Sequence, residues 1–132
     1  MRKVIRTKVA PQPRAAYSQA IVANGFVFLA GQLALDPKTN DFVLGDIRSE
    51  TRLTLENMRA LLQASGSSIK DVVSVRVFLA DMSDFEGMNE VYREFFPVDP
   101  PVRTTVGVTL SKIKVEIECV AVLRRAGKKK RA

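Results

Sequence analysis

The chain contains no histidine and a single cysteine in 132 residues. Without histidine, Ser-His-Asp and Cys-His nucleophile activation are excluded, as is a histidine general base. Zinc sites built from His and Cys are excluded with them. Acid-base chemistry is left to Glu, Asp, Tyr, Lys or a held water. The lone Cys119 has no internal disulfide partner, which points to a reducing compartment. Long apolar runs are also lacking. The stretch from Phe26 to Ala30 is far too short to span a bilayer, so no membrane partner is expected. Acidic side chains are absent from residues 1–34, which resembles a transit peptide, but strand-like and turn-like sequence begins almost at once. The cytoplasm is the expected compartment, with mitochondrion and nucleus as alternatives.

What is present fits one ordinary globular domain, with 46% hydrophobic and 27% charged residues. The net charge of +7 suggests nucleic acid until it is located. Of the 21 basic side chains, six lie in Arg124, Arg125, Lys128, Lys129, Lys130 and Arg131, and five in Arg2, Lys3, Arg6, Lys8 and Arg14. The ten that remain face all 14 acidic side chains, so the body carries −4. Residues 1–123 read as the domain and residues 124–132 as a basic, disordered tail. Weak RNA binding or a nuclear address is the alternative role for that tail.

Local patterning sets the elements. Asn24-Gly25 between two apolar runs predicts a tight hairpin, because both residues accept positive φ. The stretch Asp36-Pro37-Lys38-Thr39-Asn40 reads as a turn. Asp46 is placed to cap a helix carrying Ile47, Leu55, Met58, Leu61 and Leu62 at helical spacing, with Gly66 ending it. Residues 71–79 alternate Val73, Val75, Val77 and Leu79 on one face of a strand. Ser83 and Glu86 are spaced as a capping box for a second helix, whose stripe is Phe85, Met88, Tyr92, Phe95 and Phe96 and which Pro97 stops. There is no internal repeat.

Two strands close the chain, each with charge where a strand ordinarily buries apolar groups. Arg103 lies on the first, and Glu116 and Glu118 on the second. With Ser111-Lys112-Ile113-Lys114 between them, the strands are expected to pair as a hairpin and bring Arg103 to the glutamates. A small-carboxylate site with an activated water and a structural ion pair are both consistent with that arrangement. On the last strand Val115, Ile117, Cys119 and Ala121 point under the helices, and Glu116, Glu118, Val120 and Val122 point away. A face mixing Glu with Val suggests a subunit interface with a polar site at one end, hence a homo-oligomer.

Several segments resemble the RidA (YjgF/L-PSP) family, in order and at close to its spacing, from about residue 2 to residue 124. They are Ala10-Pro11, Tyr17-Ser18-Gln19-Ala20, Gly31-Gln32, Asp36-Pro37, Asn57, Asp84-Phe85, Asn89, Tyr92, Phe95-Phe96, Pro101-Val102-Arg103 and Val115-Glu116-Ile117-Glu118. The resemblance implies an α+β, chorismate-mutase-like fold with a six-stranded mixed sheet, two helices on one face and assembly as a homotrimer. It implies hydrolysis of reactive enamine and imine acids such as 2-aminoacrylate to 2-keto acids and ammonia, in inter-subunit clefts and without a cofactor or metal. Endoribonuclease or translation-inhibitor activity, and non-catalytic binding of small carboxylates, are the alternative readings.

The same resemblance assigns the site. Arg103 matches the residue that grips the substrate carboxylate, Glu118 the one that orients and deprotonates water, and Tyr17 the aromatic at the cleft. Asn89 matches a cleft residue near the arginine, and Gly31 lies in the matching Gly-Gln pair. The sequence departs from the family at three places. Ala15-Ala16 replaces Gly-Pro, Ala30 replaces a serine before Gly31, and Thr104-Thr105 replaces Ser-Cys, so Thr105 supplies a hydroxyl in place of a thiol. These changes reshape the pocket wall, and Arg14 nearby suggests larger or doubly charged anions. Glu116 reads as a solvated or ion-paired strand residue, and Cys119 as inert core.

Overall fold

The computed structural model describes residues 2–124 of the chain. The basic tail expected to be disordered lies, from residue 125 on, outside the described residues. Arg124 itself is joined to the body, with its guanidinium 3.2 Å from the Asp71 carboxylate. Three strands, β1 (Arg2–Ile5), β2 (Ala20–Ala23) and β3 (Phe26–Leu29), precede helix α1 (Ile47–Ala64). Strand β4 (Val72–Leu79), helix α2 (Phe85–Phe95) and strands β5 (Val102–Gly107) and β6 (Val115–Val122) follow. The strands form one mixed sheet in the order β1-β2-β3-β6-β4-β5, with the β4–β5 pair parallel and the others antiparallel. This is the expected α+β architecture, with both helices on one face. No described helix is long and apolar enough to cross a membrane.

Local sequence accounts for most of the elements. Asn24 and Gly25 turn the β2–β3 hairpin with φ of 52° and 83°, the positive values a two-residue turn of this hand requires. The Asp46 carboxylate caps α1 by accepting from the Ser49 N–H at 2.8 Å, and that bond holds the Asp46 carboxyl below its usual range. At the other end Gly66, with φ 88°, closes a Schellman motif in which the Ser67 N–H donates to the Leu62 carbonyl at 2.9 Å. The expected box of Ser83 and Glu86 does not form. The chain enters α2 through a 3-10 turn, Met82–Asp84, and the Ser83 N–H is taken by the Asp81 carboxylate at 2.9 Å. Val73 also leaves its expected face. A register shift between Val72 and Ser74 turns Val72 inward and exposes Val73.

The core lies between the helices and one face of the sheet. Leu55, Met58, Leu61 and Leu62 of α1 and Met88, Val91 and Tyr92 of α2 bury against Val27, Val75, Val77, Leu79, Val115, Ile117 and Ala121. Leu55 is 0% exposed, so Leu55→Ala leaves a cavity and is expected to destabilise the fold by about 2–5 kcal/mol, read as a lowered urea midpoint. Glu50 is a buried carboxylate that sequence reading passes over. It accepts from the Gly45 N–H at 3.1 Å and the Lys114 N–H at 2.8 Å, tying the entry of α1 to the entry of β6. That tie sets where β6, and with it Glu116 and Glu118, begins.

The expected β5–β6 hairpin is overturned, because β4 lies between them. Helix α2 carries the chain over the sheet between β4 and β5, and such a crossover makes the pair parallel. Strand β6 alternates buried with half-buried residues up to the exposed Val122 at its end, which suits a central strand, whereas β5 is largely exposed and takes the edge.

Candidate functional site

Arg103 sits on edge strand β5 with Val75 as its neighbour on β4, and it shares that residue's face of the sheet, the one covered by α2. Its Nη1 donates to the Asn89 Oδ1 at 2.8 Å. Its guanidinium carbon stands 4.6 Å from the centre of the Tyr92 ring and 5.4 Å from that of Phe85. One hydrogen bond and two aromatic contacts therefore fix the plane of the fork before any ligand arrives. Among the described residues no carboxylate pairs with it. Asn89, Tyr92, Pro101 and Arg103 line a cavity of about 380 Å³. The Tyr92 hydroxyl is buried without a hydrogen-bond partner, and burial pushes its pKa up to about 12 against a smaller opposing effect of Arg103. The Thr105 hydroxyl, on the same strand face as Arg103, is buried and unpartnered as well.

The second group of candidates lies elsewhere. Glu118 pairs with Arg76, its neighbour on β4, on the face without helices. Gln32 pairs with Ile117 through two backbone hydrogen bonds, of 2.7 and 3.1 Å, so the chain at Gly31 runs beside β6. A Cβ on Gly31 would fall 2.1 Å from a Glu116 carboxylate oxygen, so the carboxyl group occupies the space that the missing side chain leaves. Tyr17, Ala30 and Gly31 line one small cavity with Gln12 and Gln19, and the Tyr17 hydroxyl accepts from the Arg14 N–H at 3.2 Å. Arg14 donates to the Asn40 carbonyl and stacks over Phe42, 4.8 Å from the ring centre. Burial, and behind it the charge of Glu118, raises the Glu116 carboxyl above its usual range.

Arg103 and Glu118 both border a cavity of about 190 Å³ beside β4, with Arg76 and Thr104, but their charged groups do not pair within one protomer. They lie on opposite faces of the sheet, on strands two spacings apart, or about 9.6 Å. The sequence correctly splits β6 into two faces and joins Asn89 and Thr105 to Arg103. What it could not supply was the strand order, and without that order Arg76 was missed. Cys119 is buried, with its thiol pushed up to about 12 by burial and then by Glu118, as inert core requires.

Comparison with known proteins decides the family. The family described as Endoribonuclease L-PSP, another name of RidA, matches residues 7–123. The chain belongs to the RidA family. A RutC family protein of Pyrococcus horikoshii is 50% identical over 123 residues, covering 92% of this chain and 98% of that protein. The 2-iminobutanoate/2-iminopropanoate deaminase of Dermatophagoides farinae is 42% identical over 124 residues, covering 92% of this chain and 97% of the deaminase. Among solved structures, E. coli TdcF with bound serine superposes with a TM-score of 0.86 at 35% identity, covering 92% of this chain and 99% of TdcF. The RidA match spans both groups of residues, from Tyr17 and Gly31 to Arg103 and Glu118.

Proposed function

We propose that the chain hydrolyses reactive 2-imino and 2-enamino acids, such as 2-aminoacrylate, to 2-keto acids and ammonia in clefts between the subunits of a homotrimer. The observation that carries this reading is the Arg103 guanidinium, oriented by Asn89 and Tyr92 and lacking a carboxylate among the described residues. A planar fork of that kind takes a substrate carboxylate through two parallel hydrogen bonds. The buried hydroxyls of Tyr92 and Thr105 beside it offer further polar contacts. Glu118 of a neighbouring subunit then orients and deprotonates the water that adds to C2, and Tyr17 with Ala30 and Gly31 closes the wall. Holding an already labile imine beside a fixed water supplies proximity as the main catalytic effect.

The sheet supports such an assembly. Phe26 and Phe28 are 40% and 45% exposed, and with Val120 and Val122 they form an apolar strip on the face without helices. Such a strip beside charged Glu118 and Arg76 suits a self-association surface. The deaminase among the relatives supports the reaction, and TdcF with serine supports a small amino-acid-like ligand. The family's description also names an endoribonuclease, which is the competing reading. A lyase that releases 2-aminoacrylate from serine, run with and without the protein, tests the choice. Pyruvate and ammonia are expected to form faster with it than spontaneously. An unchanged rate with retained 2-oxobutyrate binding contradicts catalysis and leaves a carboxylate binder, whereas RNA cleavage that survives Arg103→Ala favours the nuclease.

A further inference from the structure

The cavity at Arg103 holds a second guanidinium that hydrolysis of 2-aminoacrylate leaves without a task. Arg93 lines the same space of about 380 Å³. It follows Asn89 by four residues on α2, so the two side chains leave one helix face about 6 Å apart along the axis. Asn89 accepts from Arg103 at 2.8 Å, which sets Arg103 at one end of that turn and Arg93 at the other. The acids nearest Arg93 on the helix are engaged by α1: Glu90 pairs with Arg48, and Glu94 pairs with Arg52 at 2.8 Å. Among the described residues no carboxylate pairs with Arg93. Nor does an acidic residue line the cavity, whose wall carries two arginines and is otherwise neutral. Arg14, which the sequence suggests for doubly charged anions, lies elsewhere, bonded to the Asn40 carbonyl and stacked over Phe42.

We infer that the preferred substrates of this site are imino acids with a second carboxylate, 2-iminosuccinate and 2-iminoglutarate, and that Arg93 selects them. The inference rests on the deaminase reading and names the substrate class within it. Arg103 takes the C1 carboxylate through its planar fork. The one or two methylenes beyond C2 run along the wall made by Phe96, Pro100 and Pro101, where the proline rings keep the surface stiff and apolar. The distal carboxylate then reaches the Arg93 guanidinium. With bonds of about 1.5 Å, the two carboxyl carbons of such acids lie roughly 4–5 Å apart when extended. The flexible arm of Arg93 closes the remaining distance. A three-carbon imino acid leaves that end of the cavity to water. The reaction keeps its balance: water adds to C2, C=N becomes C=O, ammonia leaves, and the second carboxylate takes no part. Arg93 is exposed, so the contact it offers is weakened by salt.

An oxidase acting on glutamate supplies 2-iminoglutarate, and the serine lyase supplies 2-aminoacrylate for comparison. Corrected for spontaneous hydrolysis, the wild-type kcat/KM on 2-iminoglutarate is expected to exceed that on 2-aminoacrylate by about 10-fold or more. Arg93→Gln is expected to lower that ratio by about 10-fold, chiefly through KM for 2-iminoglutarate. Arg93→Lys keeps the charge and should retain most of the preference. In calorimetry 2-oxoglutarate should bind the wild type about 10-fold more tightly than 2-oxobutyrate, with the margin narrowed by salt and lost in Arg93→Gln. An unchanged ratio in Arg93→Gln, or a wild type that accelerates both imines without preferring 2-iminoglutarate, overturns the substrate class and leaves the deaminase reading standing. A wild type that accelerates neither imine overturns the deaminase reading and this substrate class with it.

Discussion

Arg103→Ala is expected to lower kcat/KM by about 100- to 1,000-fold, on the order of 3–4 kcal/mol of lost binding for two charge-assisted hydrogen bonds. The loss should appear in KM as well as kcat, because in the proposed mechanism the guanidinium holds the substrate carboxylate before and during reaction. Arg103→Lys should not rescue it. An ammonium restores the charge but not the planar fork, nor the stacking on Tyr92 and Phe85 at 4.6 and 5.4 Å. Stability should change little, since the side chain is only half-buried and makes one hydrogen bond, to Asn89. Titration of 2-oxobutyrate by calorimetry checks the assignment alongside the kinetics. Retained affinity in Arg103→Ala would place the carboxylate elsewhere.

Glu118→Gln is expected to act differently. It removes the proposed base and leaves the proposed carboxylate grip, so kcat should fall by about 100- to 10,000-fold while 2-oxobutyrate still binds. The substitution also releases Arg76 from its ion pair. Arg76→Gln therefore serves as the control: it breaks the same pair but leaves the base in place, and should retain far more activity than Glu118→Gln. Equal losses in the two variants would assign Glu118 to holding Arg76, not to chemistry.

The division between what sequence shows and what it hides follows the range of the interactions. The Asn24-Gly25 hairpin, the Asp46 cap, the Gly66 stop and the stripe of α2 are local, and each is legible from neighbouring residues. Alternation along β6 gave its two faces for the same reason. Ser83 failed as a cap because Asp81, two residues earlier, captured its N–H in a tighter turn. Val73 failed because a bulge adds one residue and reverses the parity of what precedes it. The pairing of β5 was out of reach on larger grounds. Two strands close in sequence are not neighbours when a third, placed earlier in the chain, buries more surface between them.

For the site, family resemblance picked out Arg103, Asn89, Glu118, Tyr17 and Gly31, and the structure sorts them into two groups on opposite faces. Arg76 carries no signature that separates it from an ordinary strand charge, and its pairing with Glu118 emerges only from register. Under the proposed reaction the same sorting gives assembly a chemical purpose: a sheet cannot fold its two faces together, and a second subunit would supply the missing half.

Mixing two inactive chains tests that claim most directly. Co-expression of Arg103→Ala and Glu118→Gln chains in equal amounts yields mixed assemblies. In these, about one cleft in four combines an intact Arg103 from one subunit with an intact Glu118 from its neighbour. Each variant alone should be nearly inactive in the 2-aminoacrylate assay, and the mixture should recover about one quarter of wild-type activity. A mixture no more active than the variants themselves would contradict a site shared between subunits.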